Sequence, residues 1–160
     1  MRRLLLDTHA FLWWLSDSRR LKRDARTAIS ETSALVHVSA ATIWEIAIKT
    51  RLGKVNPGTK HLDQEIAANQ FTELAISARH ALAAGNLPLY HDDPFDRMLI
   101  AQAQLEDLTI VTHDETFGQY KVAVLWTQME FSILFVSVRI LKAPLVDVAV
   151  EDRESFINSE

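Results

Sequence analysis

Four carboxylates stand where their neighbours do not explain them. Asp7 ends the apolar run Leu4-Leu5-Leu6, and Asp114 lies two residues past Ile110-Val111-Thr112. Glu45 interrupts an apolar helical stretch made of Ile43, Trp44, Ile46, Ala47 and Ile48. Asp96 falls in the first turn of a helix opened by Asp93-Pro94. At about 100° per residue it stands next to Ile100 and Ala103, on the margin of the buried face. Acids gathered in one pocket repel each other and stay ionised only if a cation compensates them. An all-oxygen ligand set selects magnesium, with manganese as a substitute, over zinc. Such ions activate water, neutralise a phosphodiester and stabilise the leaving oxygen.

Each acid also has a local structural role open to it. Asp7 suits the N-cap of the next helix, and Thr112-His113-Asp114-Glu115 has capping-box spacing. Asp96 suits the first helical turn, where the dipole favours negative charge. Glu45 is placed to pair with Lys49 at i,i+4. For Asp93, followed by proline at the first helical position, the capping role is preferred. One metal site nevertheless accounts for the four together more simply than four separate coincidences.

Other chemistries find less support. The chain has no cysteine, which excludes a disulfide scaffold, a cysteine-ligated metal and a thiol nucleophile, and fits a reducing cytoplasm. Its six histidines form no i,i+4 pair for a zinc helix and read mainly as surface or core residues. Four glycines make no phosphate loop, and no serine sits in a nucleophile elbow. Leu6-Asp7-Thr8-His9 has His9 where an aspartyl-phosphate enzyme usually needs a second Asp. The four tryptophans read as core. Arg19, Arg20, Lys22, Arg23 and Arg26 form the densest basic segment, suited either to phosphates or to a solvated helix face.

These residues need a frame. Short continuous apolar runs at Arg3–Asp7, Leu35–Ser39, Phe71–Ile76, Leu108–Thr112 and Val122–Trp126 alternate with helical patterns. The helical segments are Thr8–Leu15, a stretch ending near Ile29, Ala40–Leu52, His61–Asn69, Ala78–Ala84 and Pro94–Glu106. Gly53 and Gly85 are expected to stop two of them. Such alternation predicts a parallel sheet with helices on both faces, in which ligands bind beyond the carboxyl ends of the strands.

The 160 residues suit one domain, with 48% apolar and 24% charged side chains. No apolar run is long enough for a signal peptide or a membrane span. The net charge of −4 argues mildly against a protein that coats nucleic acid. It is unevenly spread. Residues 1–126 carry 14 basic and 15 acidic groups, and residues 127–160 carry 3 and 6. Without the four proposed ligands the first part is +3, a mildly basic body around an acidic pocket. Residues 127–160 read as an extension of unknown role, with an apolar run at Phe131–Ile140 that suits an edge strand and a polar tail.

Four blocks carry a resemblance. They are Leu4-Leu5-Leu6-Asp7-Thr8-His9, Ser39-Ala40-Ala41-Thr42-Ile43-Trp44-Glu45-Ile46-Ala47-Ile48-Lys49, Asp93-Pro94-Phe95-Asp96-Arg97-Met98-Leu99-Ile100-Ala101-Gln102-Ala103 and Ile110-Val111-Thr112-His113-Asp114. In this order they resemble the PIN-domain family, and more narrowly the VapC-type toxins of type II toxin–antitoxin systems, over about residues 1–126. The resemblance implies a PIN-like three-layer α/β/α sandwich with a central parallel sheet and an acidic pocket at its carboxyl edge. It implies magnesium-dependent cleavage of tRNA or other structured RNA, and a VapB-type antitoxin that blocks the pocket. A homodimer is implied as well. Asp7, Glu45, Asp96 and Asp114 fall on the family's acidic positions and Thr112 on its hydroxyl position, with Asp93 as a supporting residue. The alternatives are another metal-dependent nuclease, acting on DNA or on 5′ ends, or a catalytically silent interaction module.

Overall fold

The structure is a computed structural model and describes residues 1–127. The apolar run at Phe131–Ile140 and the polar tail lie outside the described residues. In β1 (Arg3–Leu6), Leu4 and Leu6 enter one core while Leu5 enters another on the opposite face. This two-sided burial explains why the strand is apolar at consecutive positions. Ile110 and Val111 of β4 (Thr109–Thr112) divide between the same two cores.

The other strands are β2 (Leu35–Ser39), β3 (Thr72–Leu74) and β5 (Ala123–Trp126). All pairings are parallel, and the sheet order is β3-β2-β1-β4-β5. The chain works outward from β1 to one edge, then returns to the other side. Its switch point lies between β1 and β4. A crevice is expected there, beyond the carboxyl ends of those two strands.

Helices α1 (Thr8–Leu15), α2 (Arg23–Ser30) and α4 (Leu62–Ala68) supply Phe11, Trp13, Ala25, Ile29 and Ile66 to the first core. Helix α6 (Pro94–Glu106) supplies Leu99, Ile100 and Ala103 to the second, with α5 (Ala78–Asn86) packed against it. Helix α3 (Ala40–Arg51) contributes to both, through Ile46 and Ala41. The result is the three-layer α/β/α sandwich. Gln102 is fully buried, accepts from Ser39 Oγ at 2.6 Å and donates to the Ala75 carbonyl at 3.2 Å. It therefore ties α6 to the carboxyl ends of β2 and β3.

Two expectations are corrected. Gly85 does not end α5, which continues to Asn86. Of the glycines only Gly53 and Gly58 adopt positive φ. At the helix end the Leu87 N–H bonds the Ala84 carbonyl, and the guanidinium of Arg97 meets the carbonyls of Ala84, Gly85 and Leu87, so the end is satisfied without a left-handed glycine. Trp44 is not core. It is 60% exposed and packs edge-on against Phe95 at 5.1 Å. The buried face of α3 runs through Ala41, Thr42, Glu45 and Ile46, which leaves Trp44 on the other side with Leu52. Among the described residues, no helix is long and apolar enough to cross a membrane.

Because Leu5 is fully buried between β1 neighbours and α6, Leu5→Ala should cost about 2–5 kcal/mol in urea unfolding. Leu89→Ala, at a residue 83% exposed, should cost no more than about 0.5 kcal/mol.

Candidate metal centre

Asp7 leaves the sheet at the switch point. Its backbone N–H bonds the Val111 carbonyl at 3.1 Å, and its Oδ1 accepts the Ala10 N–H at 2.6 Å. The residue thus caps α1 and stands over β4 at once. It is buried, and this desolvation raises its pKa against the pull of Thr112, Ala10, His9 and His113. Thr112 is fully buried at the end of β4. Its hydroxyl bonds the Asp7 carboxyl and accepts the Asp114 N–H at 3.0 Å, so one side chain joins two of the acids.

Asp114 caps the following 3-10 turn, Glu115–Gln119, by accepting the Thr116 N–H at 2.8 Å. Partial burial opposes its charge, but hydrogen bonds from Thr116 and His91 prevail and hold its pKa below the usual carboxylate range. Asp96 differs. Desolvation raises its pKa to about 7, and the charges of Asp93, Glu45 and Asp7 add to the effect, with His91 opposing it. Asp93 itself caps α6 through the Phe95 N–H at 2.8 Å. Its charge acts on Asp96 from that position.

Glu45 is buried on α3 with both oxygens engaged. The Thr8 hydroxyl donates to Oε2 and the Lys49 ammonium to Oε1. The i,i+4 pairing weighed from the sequence is therefore present, inside the acidic neighbourhood. Burial opposes the charge of Lys49, but Glu45, Asp93 and Asp96 outweigh it and raise its pKa. Lys49 is the built-in cation of the site.

His91 was not distinguished from the other histidines by sequence. Its Nδ1 accepts the Asp93 backbone N–H at 3.1 Å, so its proton resides on Nε2. That N–H lies 3.0 Å from Asp114 Oδ2 and 3.2 Å from Asp96 Oδ2. One donor is shared between two carboxylates. The loop holding His91 is fixed from two sides. Tyr120 Oη accepts the His91 N–H at 2.8 Å and donates to the Pro88 carbonyl at 2.9 Å. Arg97 binds the carbonyls of Pro88 and His91 as well as those at the end of α5. No periodicity in the sequence marks such a loop residue. The nearest signal is its place two residues before Asp93-Pro94.

Thus Asp96 and Asp114 meet at His91, Asp7 is linked to Asp114 through Thr112, and the charges of Asp7 and Glu45 reach Asp96. Donor atoms of His91, Asp96 and Asp114 come within 4.8 Å of one another, as do those of Asp7, His9 and His113. The residues fit a divalent cation. Burial suppresses ionisation at Asp7, burial and neighbouring carboxylates suppress it at Asp96, and a bound cation would oppose these effects.

The basic segment lies to the side of this centre. The Lys22 N–H bonds the Thr127 carbonyl at 3.0 Å, and the Thr127 N–H bonds the Thr112 carbonyl at 2.9 Å. The start of α2 therefore reaches the carboxyl edge. Arg19, Arg20 and Arg23 are exposed. Arg26 is engaged with Asp17 at 2.8 Å, with the Ser18 carbonyl at 2.9 Å and over the Trp14 ring.

The raised pKa of Asp96 has a consequence for stability. Between about pH 4 and pH 7 the folded protein holds a proton that the unfolded chain releases, so stability falls as pH rises through that window. In chelator, Asp96→Asn should raise Tm at pH 8 by on the order of 5 °C. The gain should vanish near pH 4, as read by thermal melts at both values.

The PIN domain family model matches residues 4–123. Ribonuclease VapC22 of Mycobacterium tuberculosis is 28% identical over 124 residues, covering 76% of this chain and 94% of the relative. The fold is similar to that in the crystal structure of DNA-bound VapBC from Salmonella typhimurium. The TM-score is 0.58 at 17% identity, with 79% of this chain and 98% of that chain covered. VapBC2 from Rickettsia felis, bound to a DNA fragment from its promoter, gives a TM-score of 0.57 at 13% identity, with 78% and 98% covered. The match to the family model spans most of the sequence, from before Asp7 to beyond Asp114, and the chain belongs to the PIN domain family.

Proposed function

We propose that this chain is a VapC-type toxin, a ribonuclease that hydrolyses phosphodiester bonds of tRNA or other structured RNA in the cytoplasm. A VapB-type antitoxin would neutralise it, and the active form would be a homodimer. The observation that carries this reading is the set of buried and part-buried carboxylates at the switch point of a PIN fold, among which Asp96 is held largely protonated by burial and by the charges of Asp93, Glu45 and Asp7. The relation to ribonuclease VapC22 favours RNA over DNA and 5′ ends among the alternatives.

Asp7, Asp96 and Asp114 would hold magnesium, or manganese in its place, with Glu45 completing the set directly or through water. When bound, the ion supplies water activation and charge neutralisation at the scissile phosphate. The protein groups do the positioning. Thr112 fixes Asp7 and Asp114 relative to each other. His91 orients the carboxylates of Asp96 and Asp114 through a single N–H. Lys49 balances Glu45. Arg19, Arg20 and Arg23 would hold the RNA backbone beside the pocket.

Purified protein should cut RNA with magnesium or manganese and stop in chelator. Asp7→Asn combined with Asp96→Asn should lower the rate by more than about a hundredfold. Unchanged cleavage would remove both residues from the site, and a panel of RNA, DNA and 5′-ended substrates separates the nuclease classes. In cells, expression should halt growth, and the product of an adjacent small gene should restore it. Replacing Arg19, Arg20 and Arg23 with Gln should flatten the log–log salt dependence of RNA binding by about two. An unchanged slope places the RNA elsewhere.

A further inference from the structure

Beside the carboxylates lies a second donor set of different chemistry. His9 is in the first turn of α1, two residues after Asp7. His113 follows β4, one residue before Asp114. A nitrogen of each ring and a carboxylate oxygen of Asp7 lie within 4.8 Å of one another. The imidazoles meet edge-on, with centroids 4.7 Å apart and planes at 79°. Trp13 backs both, at 5.8 Å from His9 and 4.9 Å from His113. The set has an apolar wall on one side and His9 open to solvent on the other.

One atom in this arrangement lacks its complement. His113 Nδ1 is buried and has no hydrogen-bond partner, and it lies 3.9 Å from Asp7 Oδ2. An unsatisfied buried nitrogen ordinarily costs about 1–3 kcal/mol. Asp7 Oδ1 is committed to the Ala10 N–H, while Oδ2 is the oxygen that faces His113. Tetrahedral ligands about 2.0–2.2 Å from an ion stand about 3.4 Å apart. Drawing Asp7 Oδ2 and His113 Nδ1 together by about half an ångström would meet that spacing.

We propose that Asp7, His9 and His113 form a second site, for a zinc-class transition ion, that overlaps the carboxylate set at Asp7. Two imidazoles and one carboxylate match the borderline ions zinc, cobalt and nickel, whereas the all-carboxylate set matches magnesium. Water completes the coordination on the open side of His9. The binding claim stands on these three residues alone. Its functional consequence rests on the nuclease reading. Asp7 belongs to both sets, so zinc here withdraws it from the magnesium set and inhibits cleavage.

The test is a cobalt titration of the metal-free full chain, without RNA. Wild type should give visible ligand-field absorption stronger than that of aqueous cobalt, removed by one equivalent of zinc. His9→Ala and His113→Ala should each weaken zinc binding roughly tenfold or more, while His61→Ala, at an exposed histidine outside both sets, should keep the cobalt band. A wild-type spectrum like that of aqueous cobalt overturns the proposal. So does zinc binding that is undiminished in both histidine variants. A histidine-dependent band in a protein that cuts no RNA sustains this site and overturns the nuclease reading instead.

Discussion

Like charges brought together out of water are the constraint on which this structure turns. The switch point of the sheet delivers Asp7 and Asp114 to the same edge, and α6 adds Asp96. Each additional carboxylate makes ionisation of the others harder, and burial compounds the effect. The response is distributed. Asp114 stays charged because backbone and imidazole donors reach it, whereas Asp96 has a weaker share of donors and keeps its proton up to about pH 7. Lys49 offsets Glu45 from within the same helix. The protein thereby folds around a charge imbalance that a cation would relieve.

The same residues also build the frame. Asp7 begins α1, Asp93 begins α6 and Asp114 begins the 3-10 turn, each by accepting a backbone N–H. Ser39 does so for α3. Several helix N-termini therefore point their partial positive charge toward one edge of the sheet. Capping and metal binding, which compete as explanations in the sequence, are compatible here because a carboxylate has two oxygens. Asp7 uses Oδ1 for the helix and leaves Oδ2 facing His113.

What could be read from the sequence follows from what is local. Consecutive apolar residues revealed β1 and β4, since both faces of a parallel sheet are covered, and proline after Asp93 marked the start of α6. The four acids stood out because each breaks an apolar pattern. His91 left no such trace. Its importance comes from a loop placed by Arg97 and Tyr120, and these contacts join distant or irregular segments. Trp44 misled for a related reason. An apolar residue in an apolar helix reads as core, but α3 buries only the face through Glu45 and Ile46. Glycine misled at Gly85, where a side chain from another helix supplies the cap.

The grip of Arg97 on the carbonyls of Ala84, Gly85, Leu87, Pro88 and His91 has one more implication. Arg97 is adjacent to Asp96, so the helix that presents the acid is tied directly to the loop that presents the imidazole. A lysine could not replace it, since one ammonium cannot span five acceptors in a planar fan. Parting α6 from that loop would strip five carbonyls of a charged donor at once, which makes this seam a costly place to open the centre.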